Sequence, residues 1–136
     1  MGFGTLAWTY VASLAAFLAL DFAWLGAVAR AFYRDQMGPL MREQVQWLPA
    51  IAFYLLFVGA VLAFVVMPAV ERGSLGRAVG LGAFFGLVTY ATYDLTNLAV
   101  LRGFGTRLAL VDMAWGTVLC AAVAATGYLV AMRLSS

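Results

Sequence analysis

Four long apolar runs, at residues 6–29, 47–70, 75–101 and 108–132, dominate the sequence. Each has at least the roughly 20 residues that a helix needs to cross a hydrocarbon layer about 30 Å thick. Because backbone polar groups in lipid need internal partners, runs of this length fold as helices. The sequence therefore predicts an all-α integral membrane protein, with residues 1–136 forming one domain, a four-helix transmembrane bundle.

Composition favours the same class. Hydrophobic residues fill 65% of the 136 positions and charged residues 10%, against roughly 45–50% and 25% in soluble domains. The first run has no basic residue before it and is too long for the core of a signal peptide, so we expect a retained helix. The expected partner is the lipid bilayer, crossed several times.

The residue types also exclude several functions. Cys120 is the only cysteine and histidine is absent, which excludes an internal disulfide and the usual haem, zinc and copper ligand sets. We therefore expect no cofactor and no metal. A net charge of +2 on scattered arginines forms no basic patch, so nucleic acid is not an expected partner. A basic set made only of arginine, with abundant Ala, Gly and Val, favours a GC-rich bacterium and its inner (plasma) membrane.

Arginines suggest an orientation and the loops suggest a topology. Five arginines lie in the first and third connections and three on the opposite side, which by the positive-inside rule favours both termini outside.

Only the first connection, residues 30–46, is long. Its Gly38-Pro39 pair permits a short helix through Gln46 with Leu40, Met41 and Val45 toward lipid; an ordinary polar loop is the alternative.

Three of the six acidic residues lie inside the apolar runs, namely Asp21, Asp94 and Asp112. A carboxylate at the centre of a membrane helix costs roughly 2.5–3.5 kcal/mol, so such residues are functional candidates. At 1.5 Å per residue each lies about 7–13 Å from an arginine at the end of its run, all toward one membrane face. If the first, third and fourth runs are neighbours, we expect one pocket that holds at least one proton at neutral pH.

Polar, aromatic and small residues share faces with these aspartates. Helical periodicity places the predicted partners of the ligand, proton or cation site on the first, third and fourth runs: Trp24, Tyr90, Tyr93, Asn97 and Trp115. Small residues on the third and fourth runs are expected to permit close helix contact: Gly82, Gly86, Gly116, Cys120 and Gly127. Arg30 or Arg34 could instead turn inward and neutralise one acid.

Four interpretations of this site remain open. The aspartates could hold helices together by hydrogen bonds, conduct protons or cations, or recognise a lipid head group, an isoprenoid-type ligand or a partner subunit. The fourth is an enzyme, since Tyr93-Asp94 resembles the Tyr-Asp element of intramembrane aspartyl proteases. Their Gly-x-Gly-Asp element is absent, because Leu110-Val111 precede Asp112, so an enzyme is the least favoured of the four and no catalytic residue is assigned.

The leading hypothesis is a small transporter or channel-like unit for protons or cations, working as a homo-oligomer because one small bundle leaves little room for a pore. The alternative is an accessory, structural or lipid/isoprenoid-binding subunit of a larger membrane complex. Both use the same aspartates, so sequence alone does not separate them.

The sequence also resembles the bacterial membrane family known as domain-of-unknown-function family 2177. The likeness rests on Leu20-Asp21-Phe22 with Trp24-Leu25-Gly26, on Phe32-Tyr33, on Phe53-Tyr54-Leu55-Leu56, on the segment from Tyr90 to Leu98, and on the segment from Asp112 to Thr117. The resemblance implies a four-helix inner-membrane protein and brings no established activity.

Overall fold

The computed structural model describes residues 1–42 and 44–135, and within them the chain forms five helices. They are α1 Phe3–Val28, α2 Arg30–Met37, α3 Trp47–Arg72, α4 Leu75–Val100 and α5 Thr106–Ser135. All but α2 are long and apolar enough to cross a membrane. Helix makes up 89% of the chain, which confirms the all-α class with four candidate membrane spans.

Helix α5 is the centre of the bundle. It packs along α4 and along α1, whereas α1 and α4 barely touch each other. The backbone of residues 62–72 of α3 lies close to α4 and α5, whereas the backbone of residues 47–61 lies close to α1 and reaches α4 only through side chains such as Phe57. The first half of α3 therefore diverges from α4, and α5 lies behind the gap between them.

Small residues bring α4 and α5 together, as the sequence predicts. A Cβ atom on Gly86 would overlap the carbonyl of Gly116 and lie 2.8 Å from the Cβ of Cys120. A Cβ on Gly82 would lie 2.7 Å from that of Ala124. In lipid, where burial of apolar surface does not drive helices together, such close packing supplies much of the association.

A local distortion marks the middle of α3. Residues Leu62–Val66 form a π-helical turn just before Pro68, which has no N–H and whose ring would clash with the carbonyl four residues earlier. A wider turn relieves that clash. The side chains of this turn still pack in the core, where Leu62, Val65 and Val66 contact Phe17 and Leu119.

The short helix of the first connection lies elsewhere than predicted. Helix α2 precedes Gly38-Pro39, which form only a single 3₁₀ turn, Gly38–Leu40. Between that turn and Trp47 the described residues form a loop, which was the alternative prediction. Glu43 lies outside the described residues. The physical reason is packing: Tyr33 of α2 enters a buried cluster with Leu108, whereas Leu40 and Val45 remain exposed.

Candidate functional site

Asp21 is held by α5. Its side chain is 8% exposed, and Trp115 donates from Nε1 to Asp21 Oδ1 at 3.1 Å. The indole of Trp24, three residues further along α1, stacks on Trp115 with ring centroids 4.6 Å apart and planes 8° from parallel. The Tyr54 hydroxyl of α3 is also close to this carboxylate. Asp21 thus has donors from neighbouring helices.

Asp112 is held by α2. The Tyr33 hydroxyl donates to Asp112 Oδ1 at 2.7 Å and accepts from Trp24 Nε1 at 3.2 Å. Burial, and then the hydrogen bond to Asp112, raise the pKa of Tyr33, so the phenol keeps its proton and remains a donor. Residues from α1, α2 and α5 therefore form one hydrogen-bonded chain.

Sequence reasoning missed Tyr33 as a site residue, although a signal was present. Ala29, Tyr33 and Met37 follow one another at intervals of four, the spacing of a single helix face. All three pack in or against the same buried cluster, together with Phe104 and Leu108. That spacing could have identified α2 as a helix docked on the bundle, with Tyr33 as its inward polar residue.

Asp94 is the most isolated of the three acids. Its side chain has no exposed surface, and neither carboxylate oxygen receives a hydrogen bond from any residue that the structure describes. The Asp112 carboxyl group adjoins it, within reach of a hydrogen bond when one of the two is protonated. Buried polar groups normally have partners, so this carboxylate needs a proton or a ligand nearby.

The three aspartates thus do not meet at one point. Asp94 adjoins Asp112, while Asp21 bonds to Trp115 and interacts with Asp112 only through space. The cause is the position of α5 between α1 and α4. Arg30 and Arg34 lie on the exposed face of α2, so the inward residue there is Tyr33 rather than an arginine.

A cleft of about 580 Å³ opens where α3 diverges from α4. We call it the α3–α4 cleft; it is lined by Phe53, Phe57, Thr89, Tyr90, Thr92, Tyr93 and Asp112. Most of this surface is apolar or aromatic, and among the described residues Asp112 provides its only carboxyl group. The cleft therefore combines apolar walls with a single acid contributed by α5.

The walls of the cleft lie at one depth. Counting 1.5 Å per residue from the nearer helix end, Phe53, Tyr93 and Asp112 each lie about 9–11 Å along their helices. All three ends are on the side of the bundle that carries α2. Phe53 is 47% exposed and Tyr93 is 52% exposed. The cleft therefore opens at the outer surface of two helices that are apolar enough to cross a membrane.

A second cavity, of about 240 Å³, lies on the other side of Asp112 and beneath α2. Its lining includes Tyr33, Asp94, Phe104 and, in common with the α3–α4 cleft, both Tyr93 and Asp112. We call it the α2 cavity. The α3–α4 cleft and the α2 cavity therefore adjoin at Asp112 and Tyr93.

The remaining predicted site residues have supporting positions. The Tyr90 ring lies on Gly116, where a Cβ would overlap it, and lines the α3–α4 cleft. Asn97 is half-buried and its amide lies beside the Tyr93 hydroxyl, outside both cavities. The geometry therefore places Asp112, Tyr93 and Tyr90 at the cleft, with Asn97 behind Tyr93.

Replacing Tyr33 with phenylalanine should loosen α2. The change removes the donor to Asp112 and the acceptor for Trp24, which should cost about 1–3 kcal/mol. The same loss of free energy should make hydrogen exchange of the α2 amides roughly 5- to 150-fold faster. Tyr10→Phe is the matched control, because that hydroxyl donates to the Leu55 carbonyl between α1 and α3. Unchanged exchange in the Tyr33 variant would show that the bond does not hold α2.

Fold and site together define an integral membrane four-helix bundle with carboxyl groups within the depth of the membrane. The chain belongs to the family described as "Predicted membrane protein (DUF2177)", whose sequence model matches residues 6–129. This confirms the resemblance seen in the sequence. No curated protein and no solved structure matches the chain. The family description names a membrane protein and no activity.

Proposed function

We propose that this protein binds an amphiphilic membrane molecule, with its chain in the α3–α4 cleft and its polar end at Asp112. The observation that carries the proposal is a largely apolar cleft between two candidate membrane helices, whose lining includes the carboxyl group of Asp112. This is the lipid-binding function among the alternatives that the sequence leaves open. The transport and complex-subunit roles have less direct support.

The size and chemistry of the cleft suit such a ligand. Its volume of about 580 Å³ falls within the roughly 300–1,000 Å³ of small-molecule sites. Aromatic and apolar side chains such as Phe53 and Phe57 provide surface for an acyl or isoprenoid chain, and Thr89 and Thr92 add hydroxyl groups at the wall. A polar ligand end beside Asp112 would offset the cost of a carboxyl group at this depth.

Native mass spectrometry of the protein extracted gently from its own membrane tests the proposal. We expect a retained amphiphile with the unaltered protein, and at least tenfold lower occupancy with Thr92→Trp, whose indole would fill the cleft from an exposed wall position. Leu95→Trp is the matched control, since Leu95 is 49% exposed on the same helix and lines neither cavity. Equal retention by both variants would contradict the proposal.

Passage of protons or cations is the second candidate. It is favoured by one observation, that Asp112 and Tyr93 line both cavities next to the unpartnered Asp94. Flux into proteoliposomes, driven by a pH or ion gradient, should then exceed that of empty vesicles and fall with Asp94→Asn. No flux above empty vesicles would exclude this candidate and leave the binding proposal intact.

Further proposals concern location and assembly. We propose that the protein lies in the inner membrane of a bacterium. The arginine distribution supports an orientation with the end that carries α2 in the cytoplasm.

The mass spectrum that tests ligand binding also tests assembly. A homo-oligomer would favour a site shared between copies, whereas a fixed complex with larger subunits would favour an accessory role. A dimer that is lost in the Thr92→Trp variant would mean that a second copy fills the cleft.

A further inference from the structure

We infer, on the basis of the proposed function, that the polar end of the ligand carries a positive charge and that the ligand is an organic cation with an apolar chain. The first observation is the cleft lining. The rings of Phe53, Phe57, Tyr90 and Tyr93 line the cleft together with Asp112, and no basic residue among the described residues lines it. Aromatic faces together with a carboxylate are the groups that recognise ammonium-type cations in proteins.

The second observation is independent of the cleft lining. Asp94, fully buried, has no donor for either oxygen among the residues that the structure describes, and it adjoins Asp112. A cation at Asp112 would therefore lie beside two carboxyl groups rather than one. A buried charge without a counter-charge is costly, so a bound cation stabilises the pair, whereas a neutral polar end stabilises it less and an anionic one is repelled.

Among the described residues, no arginine replaces that cation. The arginines at the α2 end of the bundle are all exposed: Arg30, Arg34, Arg42, Arg102 and Arg107. The hydrogen bonds to Asp112 and Asp21 come from neutral groups, Tyr33 and Trp115. Neutral donors such as these form hydrogen bonds to single carboxylate oxygens but do not change the net charge of the carboxyl groups. The negative charge of the Asp94–Asp112 pair therefore remains available to a ligand from the membrane.

The test compares three probes with the same twelve-carbon chain: dodecyltrimethylammonium, dodecanol and dodecyl phosphate. Binding to the full-length protein in lipid nanodiscs is measured by equilibrium dialysis of radiolabelled probe, with empty nanodiscs subtracted. We expect the ammonium probe to bind at least tenfold more tightly than the other two. Asp112→Asn should abolish this preference, whereas Asp21→Asn, the matched control, should retain it because Asp21 lies outside the cleft.

A second pair of variants keeps the inference testable if Asp112→Asn does not fold. Asp94→Asn leaves the cleft lining unchanged and should weaken binding of the ammonium probe several-fold. Tyr93→Leu should also weaken it several-fold, whereas Tyr93→Phe, which retains the aromatic ring, should not. Tyr93 is half-exposed, so neither change requires repacking of the core.

The outcomes separate the inference from the proposed function. If the three probes bind equally and Thr92→Trp displaces them all, the cleft binds amphiphiles but the inference of a cation is wrong. Preference for dodecyl phosphate would also overturn the inference. If Thr92→Trp displaces none of the probes, the proposed function itself fails. Tighter ammonium binding that requires Asp112 and is blocked by Thr92→Trp would support both.

Discussion

Replacing Gly86 with alanine is expected to lower the free energy of unfolding by about 3 kcal/mol, since overpacking of a close contact costs roughly 1–3 kcal/mol or more. The added Cβ would overlap the Gly116 carbonyl and press on Cys120 of α5. Neither obstacle is the flexible end of a long side chain, so α4 and α5 must separate. That movement would also disturb the contact between Asp94 and Asp112.

Gly80 is the matched control, one turn and a half earlier in α4. A Cβ there meets nothing within 4 Å, and alanine is favoured over glycine in a helix interior by roughly 0.5–1 kcal/mol. Gly80→Ala should therefore leave the free energy of unfolding unchanged or slightly raised. Denaturant titration in mixed micelles measures both variants. Equal effects of the two changes would show that α4 and α5 do not pack at Gly86.

The second large effect is expected from Trp115→Phe. The change retains a ring to stack on Trp24 but removes the N–H that donates to Asp21. A buried acceptor that loses its donor costs about 1–3 kcal/mol, and more when the acceptor is charged. We therefore expect the free energy of unfolding to fall by about 3 kcal/mol. If the nearby Tyr54 hydroxyl replaces the lost donor, the full loss should appear in the double variant with Tyr54→Phe.

Trp24→Phe is the control for Trp115→Phe. It removes the other indole N–H of the same stacked pair, but that N–H donates to a neutral phenol, Tyr33. The expected loss is about 1 kcal/mol, so the difference between the variants measures the value of a donor to a carboxylate. In an Asp21→Asn background this difference should shrink. A persistent difference there would mean that Trp115 stabilises the bundle mainly through its size.

Stability and binding place different demands on this site. Asp21 has a donor from Trp115 and Asp112 has one from Tyr33, so both contribute to packing. Asp94 has no donor in the described part of the chain, so Asp94→Asn should cost little stability while it weakens ligand binding. Such a separation is typical of residues retained for function at some cost to the fold.

Much of the candidate site could be predicted from helical periodicity. The run of apolar residues identifies each membrane helix, and a 100° step places Thr9, Ser13 and Asp21 on one face of α1, all of which are buried. The same step places Gly116 and Cys120 on the buried face of α5. The close α4–α5 contact follows from Gly82 and Gly86, because only small residues allow backbones to approach.

Periodicity could not predict which helices are neighbours, because it describes each helix by itself. The expected single pocket of three aspartates depends on contact between α1 and α4, and α5 lies between them. The divergence of α3 from α4, and hence the cleft, likewise depends on how α3 divides its contacts between α1 and the other helices. These are properties of packing between segments distant in sequence.

The sequence by itself therefore determined the membrane class, the four spans and the faces that carry the aspartates, since each follows from the apolar length and the period of one helix. Only the tertiary structure decided that Tyr33 reaches Asp112, that Asp94 has no donor among the described residues, and that Asp112 lines a cleft between α3 and α4. The physical reason is that hydrogen-bond partners and cavities belong to pairs and groups of helices, whose arrangement depends on the fit of all side chains together.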